Sequence, residues 1–495
     1  MTGDNSQVLK LDDIPVVEND ELKKVITAAG LGNAIEWFDF GVYGFLLITL
    51  SRVFFPGADP GVALIASMAT FSVPFLFRPL GGAFFGFIGD KYGRKRVLSF
   101  TIILMSLSTF AIGLIPSYAA IGIWAPVLLL LAKVVQGLSV GGEYSGAVVF
   151  VCEYSPDKKR GFMASWLDFG SISGFLLGSV VVYLVTWIVG EPAMASWGWR
   201  LPFLLSLPLG AIGLYLRRQL DESPAYEAQE DNDRDKTSSL KKIIRKSYKG
   251  IILCCALVIL MNTSYYMLLT FMPSYLEVNL HYNESHSKLI IMLVMTFMLL
   301  VQPLVGFLSD RFGRRAFLIA GAMGQFFLAI PAYWMIAHGN TWLLIAGLAI
   351  LALILCCFTG VVASVLPALF PTQVRFRTLA VTFNISVVIA GLTPTVATWL
   401  VAAVEPLSRT LSLYIPAVYL MVTALCGLVA GVIMRETANR PLKDSLPIVS
   451  SRMEAREVLE EHFDHIEKRV EAIENKISEL EEKRQNLVDQ HPRLN

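Results

Sequence analysis

The segment GFIGDKYGRKR, residues 86–96, returns later in the chain as GFLSDRFGRR, residues 306–315, with its first and last glycines, aspartate and basic residues in the same order. Each copy lies between two long apolar runs. Such a segment reads as a tight turn between membrane-spanning helices: glycine permits the turn, aspartate caps or pairs, and Arg and Lys stay at the aqueous face. Two further segments repeat in the same order, EYSPDKKRGF (153–162) with LFPTQVRFR (369–377) and DESPA (221–225) with RETAN (435–439), at offsets between 214 and 220 residues. Three ordered echoes divide the chain into two parallel halves, a design in which a solute site lies between the halves near the membrane midplane.

Composition places the whole chain in a membrane. Of 495 residues, 55% are apolar and 16% charged, which fits no ordinary soluble class. The net charge of +1 forms no basic patch, so nucleic acid is excluded as a partner. A spanning helix needs about 20 apolar residues. Such stretches occur near 25–50, 62–88, 97–117, 123–150, 163–190 and 200–218, and again near 249–276, 287–309, 316–337, 341–368, 378–403 and 412–434. The expected fold is therefore all-α, with twelve transmembrane helices in two six-helix repeats.

The domains read as a polar N-terminal arm (1–22), a first bundle (23–218), a charged central loop (219–247), a second bundle (248–436), a linker (437–451) and a heptad-patterned tail (452–489). The arm, polar and acidic without an apolar core, is no removable signal peptide and is expected to be disordered. Lys23, Lys24, Lys91, Arg94, Lys158, Arg160, Arg311, Arg314, Arg375 and Arg377 all fall in loops on one side, whereas the other side has little beyond Arg52, Lys288 and Arg409. Both termini are thereby predicted to be cytoplasmic. The six cysteines lie in or at the ends of apolar stretches without metal-ligand spacing and read as small buried residues.

The repeated G-x-x-x-D-[KR]-x-G-[RK]-[RK] turn resembles that of the major facilitator superfamily. GNAIEWFDFGVYG in helix one, QGLSVGGEYSGA in helix four, GFMASWLDFGSISGF in helix five and ETANRPLK after helix twelve resemble its metabolite:proton symporter family, closest to the bacterial osmosensing proline and glycine betaine branch. The resemblance runs from about Lys23 through the tail. It implies a secondary transporter of the bacterial inner membrane that imports proline, glycine betaine and related zwitterions with a proton, and not an enzyme. It also implies that Asp90, Arg94, Asp310 and Arg314 form salt bridges that gate one face. A carboxylate symporter for citrate, 2-oxoglutarate or shikimate is the alternative, and a non-transporting membrane osmosensor a more distant one. Neither a GxxxxGK[ST] loop nor a metal-ligand cluster occurs, so no cofactor is expected and the proton gradient is the energy source.

Ionisable residues inside apolar stretches point to function, because a charge at membrane depth is costly and faces a cavity or a partner. Glu36, Asp39, Arg78, Lys133, Glu143 and Asp168 all belong to the first half; the second offers neutral groups such as Asn262, Gln302 and Asn384. Asn33, Glu36, Phe40 and Tyr43 share one face of helix one by their 3,4,3 spacing. At 1.5 Å per residue Glu36 lies roughly 15 to 20 Å from the cytoplasmic end, near the midplane, where a desolvated carboxylate suits proton exchange. A bracing ion pair, for example with Lys133, is the alternative. Aromatic residues crowd the same region, among them Trp37, Phe38, Tyr144, Trp166, Tyr265 and Tyr266. Most read as packing, and a few as a cage whose ring faces attract a quaternary ammonium. The candidate solute and proton site is thus Asn33, Glu36, Asp39, Phe40, Tyr43, Lys133, Glu143, Tyr144, Trp166, Asp168, Tyr265 and Tyr266.

In the tail, Leu459, Ile466, Ile473, Leu480 and Leu487 fall at heptad position d, and Arg456, Phe463, Val470, Ile477 and Arg484 at a. The sequence reads as a coiled coil joining a homodimer, with strand direction left open by the arginines at a. A single amphipathic helix lying on the bilayer and its anionic lipids, or on the chain's own loops, is the alternative.

Overall fold

The computed structural model describes residues 10–17, 19–92, 94–218 and 240–490, and among them every regular element is helical. Among the described residues nine helices are long and apolar enough to cross a membrane: α2 (Pro60–Phe85), α4 (Trp124–Tyr154), α5 (Asp157–Val189), α7 (Ser247–Val278), α8 (Ser285–Phe312), α9 (Arg314–Ala337), α10 (Thr341–Val365), α11 (Thr372–Val404) and α12 (Arg409–Ile433). A tenth, α1, is a pair, Leu22–Phe45 and Leu47–Phe54, bent by 64°. Two shorter apolar helices, α3 (Phe100–Leu114) and α6 (Arg200–Tyr215), complete the set, and all fall on the twelve stretches read from the sequence. The tail forms one further helix, α13 (Arg452–Gln490). Most of the central loop, 219–239, lies outside the described residues.

Glycine sets the closest contacts of the first half. Gly170, Gly174 and Gly178 recur every fourth residue and form one face of α5, laid against α1; a Cβ at these positions would come within 2.3 Å of the Gly30 oxygen, 2.0 Å of the Ala34 oxygen and 2.6 Å of the Phe38 oxygen. Small residues at this spacing let two backbones touch, which drives helix association in lipid where burial of apolar surface does not. On α4, Gly137 and Gly141 receive the Pro74 and Arg78 carbonyls of α2 in the same way. These two seams fix the registers of Glu36, Arg78, Tyr144 and Asp168. On the outside, Ile188, Leu300 and Trp342 are exposed, as lipid-facing side chains are.

Helix α7 widens to a π turn at Met267–Phe271, directly after Tyr265 and Tyr266. Pro273 explains it, since proline has no amide to give the carbonyl four residues back.

The segment between α12 and α13 is more than a linker. It has no helix, yet its backbone is tied to both halves. The Ile448 carbonyl accepts from the Asp157 amide of α5 (2.9 Å), and the Lys443 carbonyl from the Thr372 amide of α11 (3.2 Å). Residues 10–17, expected to be disordered, pair with this strap: Val17 N donates to Val449 O (3.0 Å) and Val449 N to Pro15 O (3.2 Å). The reason is local pattern. Ile14 is buried with Val449 and Ala455 against Leu11, Val458 and Leu459, so an apolar side chain in a polar arm finds a small core of its own. Lys158 reaches Glu454 and Glu457 at 3.8 and 3.7 Å, joining the start of α13 to α5.

Candidate functional site

A closed cavity lies between the halves, lined by Glu36 and Trp37 of α1, Arg78 of α2, Tyr144 of α4, Asp168 of α5, Met261, Asn262 and Tyr265 of α7 and Phe383 of α11. Its volume is about 10 Å³, at the lower limit for one water. Arg78 donates through Nη2 to Glu36 Oε1, and both side chains are fully enclosed. The Tyr144 hydroxyl is 3.0 Å from each Asp168 oxygen. Around these charges Trp37 meets Tyr265 with ring centroids 4.8 Å apart, and Tyr144 stacks on Phe383 across the halves at 4.8 Å. Several buried polar atoms lack a partner: Glu36 Oε2, Arg78 Nε, Trp37 Nε1 and the hydroxyls of Tyr265 and Tyr266. Buried polar groups are ordinarily satisfied, so this concentration of unpartnered atoms sets the cavity apart from ordinary helix packing.

A second polar cluster lies inside the first half. Thr109 of α3 donates to Asp39 (2.6 Å), Gln136 of α4 to Thr109 (3.1 Å), and Lys133 to Gln136 (2.9 Å). The Lys133 ammonium sits 3.9 Å from the Tyr43 ring centroid. Phe40 divides the two clusters, with the Arg78 guanidinium 5.6 Å and the Lys133 ammonium 5.8 Å from its centroid.

The end of the bundle that carries the strap is sealed by hydrogen bonds between halves. Asp310, in the second copy of the repeated turn, accepts from the Gly161 and Phe162 amides at the start of α5 (2.8 Å each) and from Arg314 (2.9 Å). A carboxylate there satisfies free amides and the positive end of the helix dipole. Gly161 leaves room for this contact, because a Cβ there would lie 2.6 Å from Asp310 Oδ1 and push it aside. Arg375 of α11 donates to Glu153 of α4 (2.6 Å), Gln302 to the Ser165 carbonyl (2.9 Å) and Asn384 to the Gly141 carbonyl (2.6 Å). The strap joins the same seal: Arg314 donates to Thr437 O (3.1 Å), Arg160 to Arg440 O (3.0 Å) and Arg375 to Lys443 O (2.9 Å). Burial opposes ionisation of Glu436, but the amides of Ala438, Arg315, Thr437 and Arg314 outweigh it and hold the carboxyl below its ordinary range.

Of the residues singled out from sequence, Glu36, Tyr144, Asp168 and Tyr265 line the cavity. Tyr266 packs beside it on Trp37 and Phe75. Asp39, Tyr43 and Lys133 belong to the second cluster, and the base that meets Glu36 is Arg78, not Lys133. Asn33 ties α1 to α5 by donating to the Leu167 carbonyl (2.8 Å) and to Ser171. Glu143 is half-buried within the electrostatic reach of Glu36. Trp166 meets Phe162 edge-on and Phe169 at a tilt, and does not line the cavity. The side chains of Asp90, Arg94 and Leu487 lie outside the described residues. Arg78, Trp37, Met261, Asn262 and Phe383 line the cavity without having been chosen; for Arg78 the signal was its charge inside an apolar stretch.

Comparison with known proteins agrees with this architecture. The family described as sugar (and other) transporter matches residues 24–250 and again 243–446, and the osmosensory transporter coiled coil matches 450–495. The chain is 58% identical to the glycine betaine/proline/ectoine/pipecolic acid transporter OusA of Dickeya dadantii (strain 3937), over 98% of each chain. It is 56% identical to the proline/betaine transporter of Escherichia coli (strain K12), again over 98% of each. The fold is that of the major facilitator proton:xylose symporter XylE, with a TM-score of 0.71 over 86% of this chain and 98% of that one, at 18% identity.

Proposed function

The chain belongs to the sugar (and other) transporter family, and from that premise we propose that it imports zwitterionic compatible solutes, proline and glycine betaine among them, by proton symport. The relatives named as transporters of proline and betaine support the substrate class. The observation that carries the reading is the cavity itself, where carboxylates, one guanidinium and several aromatic faces converge between the halves. A zwitterion needs both signs of charge, and a methylated nitrogen, which donates no hydrogen bond, is held by ring faces. A citrate or shikimate site would be expected to present bases without the opposed Asp168.

Transport proceeds by alternating access: the halves, 23–218 and 248–436, part at one face and then the other, with Asp310 and Arg314 opening and closing the seal beside the strap. The strap face is cytoplasmic by the distribution of Lys and Arg, and the bacterial relatives support an inner-membrane location. The tail supports osmotic control and a homodimer, since it matches an osmosensory coiled coil and its a and d residues Phe463, Ile466, Val470, Ile473, Ile477 and Leu480 are exposed on α13. Arg484 is exposed as well, while Leu459 turns to the small core at the strap.

The test is uptake of labelled glycine betaine into proteoliposomes under an imposed pH gradient at several osmolalities. Acid outside is expected to drive accumulation, with proline competing and citrate and shikimate not. Competition by citrate or shikimate without proline would establish the carboxylate alternative, and solute binding without uptake the sensor.

A further inference from the structure

The cavity contains more unsatisfied charge than its residents need. Arg78, 2% exposed, lies in α2 between Pro74 and Pro79, over the Phe75 ring at 5.2 Å. Its guanidinium is bound to one oxygen of Glu36; among the described residues Nε has no partner, and neither has the other Glu36 oxygen. A guanidinium matches a carboxylate best through two parallel bonds, so this is a receptor only half used. Asp168 lines the same cavity, where its oxygens accept from Tyr144 alone among the described hydrogen bonds. Trp37, Tyr265 and Phe383 supply aromatic surface beside it.

Building on the transport reading above, we propose that Arg78 receives the carboxylate of the solute in exchange for Glu36, and that the ammonium end faces Asp168 and the rings. Glu36 and the solute carboxylate are alternative anions for one cation. When Glu36 takes a proton it becomes a neutral acid, releases Arg78, and the solute carboxylate enters; when the solute leaves, Glu36 returns its proton and re-pairs. Solute and proton are thereby bound together, which is what symport requires. The proton on Glu36 is also felt by Glu143 of α4, Asp39 of its own helix, Arg78 itself, and the Tyr144, Tyr265 and Tyr266 hydroxyls. Because protonation favours the solute, affinity falls as pH rises.

The test is equilibrium binding to the full chain in lipid nanodiscs across pH, with glycine betaine and with choline, which keeps the trimethylammonium and lacks the carboxylate. In the wild type, betaine affinity is expected to fall with rising pH. Glu36→Gln is expected to flatten that profile, and Arg78→Gln to weaken betaine by roughly tenfold or more while leaving choline unaffected, since a charge-assisted pair is lost only for betaine. Arg78→Lys should recover part of the affinity. An unchanged pH profile in Glu36→Gln overturns the exchange, and it remains decisive if Arg78→Gln does not fold. Betaine affinity in Arg78→Gln within twofold of wild type overturns the anchor. Wild type that binds and transports betaine alongside either result leaves the transport reading standing, whereas wild type that binds none removes that reading first.

Discussion

Each half of the bundle buries a glutamine-centred polar network, and the two differ in charge. In the first half Gln136 links Lys133 to Thr109 and so to Asp39; in the second, Gln325 accepts from Ser264 (2.7 Å) and donates to Thr423 (3.2 Å) and the Leu420 carbonyl (2.9 Å), with no charged member. The cavity is divided in the same way, with Glu36, Arg78 and Asp168 from the first half and Met261, Asn262, Tyr265 and Phe383 from the second. An ion at membrane depth is retained where charge has work to do, whereas a neutral amide or hydroxyl network specifies packing. On the reading proposed above, the first half carries the chemistry, and the second shapes the cavity and closes it. Gln302 and Asn384 fit that role, each donating to a backbone carbonyl of the other half.

The sharpest way to break this division is to remove a charge on one side and a neutral group on the other. Glu36→Gln is expected to lower proton-driven uptake by roughly tenfold or more at normal expression, because it deletes the carboxylate that exchanges with the solute. Asn262→Leu, on the opposite wall, should raise the apparent KM several-fold without changing the pH response. Equal loss of proton coupling in both variants would place the coupling across the halves.

Stability should divide likewise. Asp39→Asn leaves the Lys133 ammonium buried without its nearby carboxylate and is expected to cost about 3 kcal/mol, as breaking a buried charged network does. Gln325→Leu strands the Ser264 hydroxyl and should cost about 1 to 2 kcal/mol. Thermal unfolding in nanodiscs reads both; the reverse order would mean that Asp39 and Lys133 are too loosely coupled to act as a unit.

How much of this was legible in the sequence depends on whether the signal is local. The repeated turns, the twelve apolar stretches and Glu36 are local: each is a departure from its neighbours that one window reveals. Arg78 was visible as a charge in an apolar run, but its partner was not, because pairing depends on the glycine seams that set helix registers. Met261 and Phe383 look like any apolar residue in a span and become site residues only through convergence. Tyr43 shows the converse limit, since helical spacing places a residue on a face without saying what that face meets, and Trp166, noted from sequence only as one aromatic among several, meets Phe162 and Phe169. The strap was read as a linker because its irregular backbone bonds to distant groups, Asp157, Arg160 and Arg375.

The seal gives a smaller effect that tests closure alone. Gly161→Val would force side-chain carbon into the space held by Asp310 and should loosen the strap face without touching the cavity. Cys152, buried with its thiol toward the Ala363 carbonyl of the other half, then becomes reactive to a maleimide, read by peptide mapping. Unchanged Cys152 protection would mean that the face is held by the other cross-half bonds.

The smallest effect on transport is expected farthest from the charges, in α13. Ile473 occupies a central d position, flanked by exposed Val470 and Ile477, and no described residue of the chain covers that stripe. Burying an Ile against a second copy contributes roughly 1.5 to 3 kcal/mol, so a stripe of this length is ample for pairing in a membrane, where copies are confined to a plane. Ile473→Lys replaces that gain with a charge to be desolvated on each of two helices. Cross-linking between tails is therefore expected to be lost, while maximal uptake at high osmolality stays within about twofold of wild type, because the cavity, the seal and the strap are intact. The osmolality for half-maximal uptake should rise. Retained cross-linking would show that the stripe is not the dimer contact, and an unchanged osmotic curve with cross-linking lost would separate pairing from regulation.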